Sequence, residues 1–238
     1  MGHTCLPGGT NARNRINKVQ HIQIDIISDV VCPWCYLGQK RLALALEEVR
    51  DSVAADIAWK PYQLEPNAPP EGFDTFDYLA KKIGGPERVK QSHEMLKGLG
   101  AEIGLPFALE RAGILPNTLD AHRLLHWAGK IGPEIQDKVA HALFTANFVE
   151  GRNVGDHAVL ADIAAACGMD RAEVERLLAT DADRDTIRNE IANAQRIGVT
   201  GVPFFVIDGK YAISGAQGVD VFANALRQIA ETKAKPQV

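Results

Sequence analysis

The sequence has little cysteine, no excess of positive charge and no long apolar run, and each shortage excludes a class of protein. Four cysteines in 238 residues are too few for a small secreted domain held together by disulfides. No apolar run approaches the ~18 residues that a membrane-spanning helix needs. With a net charge of −4, the chain offers no basic surface for a phosphate backbone. Neither nucleic acid nor a membrane is therefore an expected partner.

The composition is that of a soluble globular protein, with 46% hydrophobic and 24% charged residues. At ~150 residues per domain, the length lies between one domain and two. The first residues lack the apolar stretch of a secretory signal, so we expect a cytoplasmic protein. In that compartment a closely spaced cysteine pair is more often catalytic or metal-binding than structural. Monomer and homodimer both remain open.

The hydrophobic pattern predicts a β-α-β unit close to the N-terminus. Residues 1–18 have no periodicity and are predicted to form a flexible arm. Isoleucine alternates with polar residues in the pattern of a strand, at positions 22, 24 and 26. A helix is predicted from Pro33 to about Arg50, because proline suits the first helical position. A second strand is predicted over residues 57–62.

Helical spacing then dominates from about Asp74 to Ile197, which predicts about six helices. The strand pattern returns at residues 204–207, followed by Asp208-Gly209 as a two-residue hairpin turn, a return strand over 210–214 and a last amphipathic helix. The predicted class is therefore α/β with a large all-helical insertion. The predicted domains are a discontinuous one, 19–61 with 198–238, and the insertion, 62–197.

Cys32 and Cys35 are the residues to which we assign the chemistry. They are three residues apart at the start of the predicted helix, where their sulfur atoms come within disulfide reach. Unpaired N–H groups at a helix N-terminus stabilise an anion, so we expect a lowered pKa for Cys32. Cys35, deeper in the helix, is expected to resolve a mixed disulfide formed at Cys32.

Two other roles for the cysteine pair are weaker. As a staple, a disulfide closing so short a loop stabilises the fold by only roughly 2 kcal/mol before strain is subtracted. A structural zinc ion needs further ligands, but Cys5 lies in the predicted arm and Cys167 on an apolar helix face. We therefore predict no metal site.

A second notable segment, Gly198-Val-Thr-Gly-Val-Pro203, leads into the strand at 204–207. An X-Pro bond at the entry to a strand is a candidate for the rare cis form. Together with the Cys32/Cys35 pair after the first strand, this segment resembles the thioredoxin fold. The long helical block resembles the DsbA branch of that fold. Three segments are similar to the FrnE-like proteins of the DsbA family: residues 28–38, 117–123 and 148–152.

The resemblance implies roles for particular residues. Val202 and Pro203 would form a cis-proline loop opposite Cys32. Substrate would be bound by this loop, by Pro33 and Trp34 between the cysteines, and by Asn117 in the helical block. Trp34 stands where DsbA itself has histidine, which removes one cause of a very low cysteine pKa. We therefore expect a less oxidising protein than DsbA.

The leading hypothesis is a protein disulfide oxidoreductase or isomerase acting on cysteine-containing proteins. It needs no cofactor, although glutathione is a possible redox partner. The main alternative is a glutathione-dependent enzyme like 2-hydroxychromene-2-carboxylate isomerase or the kappa-class glutathione transferases. Those enzymes carry serine at the first motif position, whereas this chain keeps both cysteines. A non-catalytic polypeptide-binding module is the third hypothesis.

Overall fold

The structure, a computed structural model, describes residues 19–234. Its strands are β1 (Gln20–Ser28), β2 (Val53–Pro61), β3 (Phe73–Asp74), β4 (Ile114–Leu115), β5 (Phe204–Ile207) and β6 (Tyr211–Ser214). Its α-helices are α1 (Pro33–Glu48), α2 (Thr75–Ile83), α3 (Pro86–Glu102), α4 (Leu119–Ile131), α5 (Pro133–Thr145), α6 (His157–Ala166), α7 (Arg171–Leu178), α8 (Arg184–Arg196) and α9 (Val219–Ala234). The predicted arm over 1–18, with Cys5, lies outside the described residues, as does the chain beyond 234.

Both ends of the chain contribute to one four-stranded sheet in the order β2-β1-β5-β6. The central strand β1 pairs with β2 in parallel and with β5 in antiparallel orientation, so that Ile26 lies opposite both Trp59 and Phe205. A parallel pair requires a crossover connection, and α1 supplies it. The predicted β-α-β unit and the C-terminal hairpin are both present.

Strand β1 is buried on one face along most of its length and on both faces only at its C-terminal end. Ile22, Ile24 and Ile26 belong to the main hydrophobic core, as their alternation predicts. Ile27, on the opposite face, packs in a smaller cluster with Ala194 of α8 and with Val199. Helix α8 of the insertion therefore covers this face of β1 at Ile27, whereas His21 and Gln23 on the same face are exposed.

The hairpin between β5 and β6 is tied to β1 by Asp208. Its side chain accepts a hydrogen bond from the Gln23 N–H at 3.0 Å and contacts Lys233 Nζ at 2.9 Å. Asp208 and Gly209 both have positive φ, at 50° and 64°, in keeping with an Asp-Gly turn. The pairing of Ile207 with Tyr211 leaves three residues in the loop, one more than the predicted two-residue turn.

The insertion is helical apart from one short strand pair. Asp170 is the N-cap residue of α7, where its side chain accepts a hydrogen bond from the Glu173 N–H, and Pro133 is the first residue of α5. The antiparallel pair β3 and β4 was not predicted, because two residues are too few to show a period. Within residues 19–234, no helix has the length and apolar character needed to cross a bilayer.

Arg123 joins α4 to the end of α7. Its side chain is fully buried, and its guanidinium donates to the main-chain oxygens of Leu177, Thr180 and Ala182 at 2.6 to 2.8 Å. It also donates to Asp120 Oδ1 at 2.8 Å. A planar group with five N–H donors can satisfy several oxygens at once, which a lysine cannot do.

We expect Arg123→Met to destabilise the protein by about 3 kcal/mol or more, because it leaves three carbonyls and a carboxylate without their buried donor. The matched control is Arg176→Met, which removes an exposed ion pair with Glu173 and should cost less than about 1 kcal/mol. Urea unfolding of both variants measures the difference. Equal losses would contradict the structural role of Arg123.

Candidate active site

Cys32 and Cys35 lie at the N-terminus of α1, where strand β1 passes into the helix. Cys32 occupies the N-cap position with extended backbone, and Pro33 is the first helical residue. The carbonyl of Cys32 accepts the N–H of Cys35 at 3.0 Å and that of Tyr36 at 3.3 Å. Both thiols therefore lie in the first turn of the helix, on the same side of it, as the i, i+3 spacing predicts.

The two thiols are both free, and they differ in their surroundings. Cys32 is 4% exposed and forms part of the wall of a cavity, whereas Cys35 is 1% exposed and lies beneath it. Burial raises the pKa of Cys35 well above its ordinary value, and the hydrogen bond and charge interaction with Cys32 raise it further. Cys35 is thus a shielded thiol, and Cys32 is the one open to a substrate.

The Val202–Pro203 loop faces Cys32. The peptide bond between the two residues is cis, and the Cys32 thiol donates to the Val202 carbonyl oxygen at 3.8 Å. A main-chain hydrogen bond holds the loop in place: the Gly215 N–H donates to the Pro203 carbonyl oxygen at 2.8 Å. Opposite Pro203 lies Gly38 of α1, where a Cβ atom would be 3.0 Å from Pro203 Cγ. The loop can approach the helix this closely because residue 38 has no side chain.

A cavity of about 370 Å³ opens directly beside Cys32. Pro33, Trp34 and Val202 line it on the side of the sheet, and Leu64 and Glu65 on the side of the loop after β2. The opposite wall belongs to the insertion and is mostly apolar, with Leu79, Ile83, Val89, Leu96, Ala112 and Leu115 among its residues.

The polar part of this cavity is a short chain of hydrogen bonds. The Tyr78 hydroxyl donates to Glu65 Oε2 at 2.7 Å and lies 2.6 Å from Lys82 Nζ, which donates to it. Burial raises the pKa of Tyr78, so its hydroxyl keeps its proton at neutral pH. In the described part of the chain, no group of three or more His, Cys, Asp or Glu side chains is arranged to hold a metal ion.

The structure brings most of the sequence-predicted site residues together. Pro33, Trp34 and Val202 meet Cys32 at the cavity, and Pro203 lies behind Val202 against α1. Asn117 does not line this cavity. Its amide oxygen accepts from Gln63 and Leu119, and its amide nitrogen donates to the main chain of the loop at 66–68. It holds the loop whose first residues form part of the cavity wall.

The sequence analysis did not predict the part of the cavity wall that the insertion forms. Its residues on α2 and α3, such as Tyr78, Lys82 and Leu96, match no motif and have ordinary helical spacing. Nothing in the sequence of these two helices distinguishes residues that line a cavity from residues that pack in a core.

A model of the DSBA-like thioredoxin domain matches residues 23–227. The chain belongs to this family. The expected fold class, a thioredoxin-like α/β fold with a helical insertion, is therefore confirmed, as is the resemblance to the DsbA family. The DSBA-like assignment makes this chain a member of a thiol oxidoreductase family, some of whose members are isomerases or transferases.

Two individual proteins are similar to this chain over nearly its whole length. The uncharacterized protein YwbO of Bacillus subtilis (strain 168) is 30% identical over 208 residues, which cover 86% of this chain and 96% of YwbO. The crystal structure of a probable DsbA oxidoreductase from Streptomyces coelicolor is 33% identical with a TM-score of 0.81, covering 92% of this chain and 93% of that one.

The cytosolic disulfide reductase DsbM from Pseudomonas aeruginosa, solved with GSH, is 17% identical. Its TM-score is 0.59, and the match covers 89% of this chain and 98% of that one. At this identity the likeness shows a common DSBA-like fold.

We expect Gly38→Val to slow disulfide exchange at least about tenfold, because the side chain displaces Pro203 and with it the loop that faces Cys32. The same crowding should lower the free energy of unfolding by about 1–3 kcal/mol. The control is Gly98→Val in α3, where a Cβ meets nothing within 4 Å. Insulin reduction and thermal unfolding test both variants, and unchanged activity in Gly38→Val would contradict the tight contact.

Proposed function

We propose that this protein is a thiol/disulfide oxidoreductase that exchanges disulfides with cysteine-containing protein substrates. The observation that carries the proposal is the asymmetry of the pair: Cys32 caps α1 and borders a cavity, whereas Cys35 is buried beneath it. Membership of a thiol oxidoreductase family supports the same chemistry.

In the reductive direction, the Cys32 thiolate attacks one sulfur of a substrate disulfide. A bond forms between Cys32 and that sulfur, and the other substrate sulfur leaves and takes up a proton. Cys35 then loses its proton and attacks Cys32 Sγ, which releases the second substrate thiol and leaves a Cys32–Cys35 disulfide. The pair is oxidised by two electrons and the substrate disulfide is reduced by two. The reverse sequence oxidises a substrate dithiol.

The Val202 main chain is the proposed guide for the substrate. Its carbonyl already lies within hydrogen-bonding distance of the Cys32 thiol, so an extended segment pairing with Val202 would hold its sulfur close to Cys32. Such positioning accounts for a large part of the rate of exchange, because the reacting sulfur atoms must be aligned.

The cavity supports a preference for a bulky apolar residue next to the substrate cysteine. It begins at Cys32, and its far wall is built from aliphatic side chains of α2 and α3. Glutathione carries two carboxylates and an ammonium group, which this wall does not match. We therefore propose glutathione as a redox partner rather than as the preferred substrate. The fold shared with a cytosolic disulfide reductase solved with GSH supports the role of redox partner. The same proposal includes a cytoplasmic location. It also includes a potential less oxidising than that of DsbA, because Trp34 stands where DsbA has histidine.

A second candidate function is glutathione-dependent conversion of a small aromatic compound. One observation favours it: the apolar cavity of about 370 Å³ has the size of a small-molecule site and borders Cys32 directly. Under this alternative the cysteines are dispensable, which separates it from disulfide exchange.

We expect Cys32→Ser to abolish insulin-disulfide reduction, because no other thiol in the described chain reaches the cavity. Cys35→Ser should instead accumulate a mixed disulfide with glutathione or a peptide, since the resolving thiol is gone. Mass spectrometry under non-reducing conditions detects this species. Cys167→Ser, which removes a partly buried thiol far from the site in sequence, is the matched control and should behave as wild type.

Full exchange activity in Cys32→Ser would overturn the proposed function. Glutathione-dependent turnover of an aromatic substrate by the Cys32→Ser, Cys35→Ser double variant would favour the second candidate. Suppression of aggregation without any reductase activity in the wild-type protein would point to a polypeptide-binding module instead.

We expect Ala112→Phe to impair selected substrates only. Ala112 lines the cavity, so a phenyl ring there should lower kcat/KM about tenfold for a mixed disulfide of a peptide with phenylalanine beside its cysteine. Reduction of glutathione disulfide, which does not need the apolar wall, should change less than about twofold. Ala172→Phe on the exposed face of α7 is the control. Equal losses for both disulfides would contradict an apolar subsite.

A further inference from the structure

Asp29 is a fully buried acidic residue that the proposed chemistry does not use. It follows β1 directly, and its side chain is 0% exposed. Its Oδ1 has no hydrogen-bond partner within residues 19–234. A buried carboxyl oxygen without a partner costs stability. The contacts that Asp29 does make therefore call for an explanation.

The main chain of Asp29 holds Cys32. Its carbonyl oxygen accepts the N–H of Cys32 at 3.0 Å, which closes the turn that leads from β1 into α1. The bond joins residues i and i+3, as in a β-turn. The position of Cys32 relative to residue 29 is therefore fixed by main-chain atoms.

The side chain of Asp29 holds part of the cavity wall. Its Oδ2 accepts the N–H of Leu64 at 2.8 Å, across from the loop that follows β2. Leu64 and Glu65 both line the cavity that borders Cys32. One residue thus connects two parts of the proposed site, the nucleophilic thiol through its main chain and the cavity wall through its side chain.

His122 of α4 supports this connection from the insertion. Its side chain is 1% exposed, and its Nε2 donates to the Tyr62 carbonyl oxygen at 2.8 Å, since a carbonyl oxygen only accepts. The same nitrogen lies 3.5 Å from Asp29 Oδ1. The N–H of Tyr62 in turn donates to the Ser28 carbonyl oxygen at 3.0 Å. The start of the loop is therefore held between the end of β1 and α4.

We propose that Asp29 is a positioning residue that sets the distance between the Cys32 thiol and the cavity wall at Leu64 and Glu65. The inference rests on the proposed function and deepens it. It identifies what aligns the substrate sulfur with Cys32 when an apolar side chain of the substrate occupies the cavity. A displacement of about 1 Å in a site can slow a reaction by about a hundredfold, so this distance matters for the rate. Asp29 exchanges no proton in this role.

The test compares two disulfides in steady-state kinetics. One is a mixed disulfide of a peptide with phenylalanine beside its cysteine, and the other is glutathione disulfide, which has no apolar side chain. In Asp29→Ala the Leu64 N–H loses its acceptor, while the main-chain bond to Cys32 remains. We expect kcat/KM for the peptide disulfide to fall about tenfold or more, with a lower kcat, because the bound sulfur is no longer aligned with Cys32. The loss for glutathione disulfide should be several times smaller.

Two further variants separate positioning from a general loss of structure. Asp29→Asn keeps an oxygen that can accept the Leu64 N–H, so it should restore most of the kcat for the peptide disulfide. Leu64→Ala removes an apolar contact but leaves the main-chain N–H, so it should raise KM for that disulfide with kcat unchanged. Leu64 is 39% exposed, so Leu64→Ala should fold, and it tests the use of this wall even if Asp29→Ala does not fold.

Asp170→Ala is the matched control. Asp170 also accepts a main-chain N–H, that of Glu173 at 3.1 Å, but it caps α7 and does not line the cavity. This variant should reduce both disulfides at the rates of wild type. Circular dichroism and urea unfolding show which variants are folded.

A wild-type kcat for the peptide disulfide in folded Asp29→Ala would overturn the positioning role. So would a Leu64→Ala variant with an unchanged KM for that disulfide. Equal losses for both disulfides in Asp29→Ala and Asp29→Asn would also overturn it, because they would place Asp29 in the exchange chemistry itself. If the wild-type protein reduces neither disulfide, the proposed function fails, and this result needs no variant of Asp29.

Discussion

The antiparallel pairing of β1 with β5 is the interaction on which the rest of the structure depends. Ile24 to Ile27 pair with Phe204 to Ile207, which come after the whole helical insertion in the chain. This pairing places the end of β1, and hence Cys32, next to the loop that enters β5, and hence Val202. The proposed exchange site needs both the thiol and the loop. The contact between them at 3.8 Å is a consequence of strand register.

Several features of the site next to this strand pair could be predicted from the sequence. The sequence predicted the position of the cysteine pair, the helix that follows it and the Val202–Pro203 entry to β5. Each of these features is a local pattern of a few residues. The helical spacing of Ala121, Leu124 and Ala128 is likewise a local pattern, and all three residues are buried on α4. Local chemistry decides such features, so the sequence is enough to find them.

Features that depend on contacts between distant parts of the chain could not be predicted from the sequence. The cavity wall from α2 and α3 has no motif, and Asn117, predicted to bind substrate from a resemblance, uses its amide within the loop at 63–68. In each case the partner lies on another element, and a hydrophobic period reports which face is buried but not what it meets.

The separation of β1 from β5 also affects how the protein is made. Chains leave the ribosome from the N-terminus, and domains fold as their residues emerge. The Cys32–Cys35 turn is therefore synthesised before the strand that closes the sheet beside it, and the whole helical insertion lies between the two in the chain. Until β5 has been made, the inner edge of β1 has no partner and Cys32 has no opposing loop. The cysteine pair thus meets the Val202–Pro203 loop only after every helix of the insertion has been synthesised.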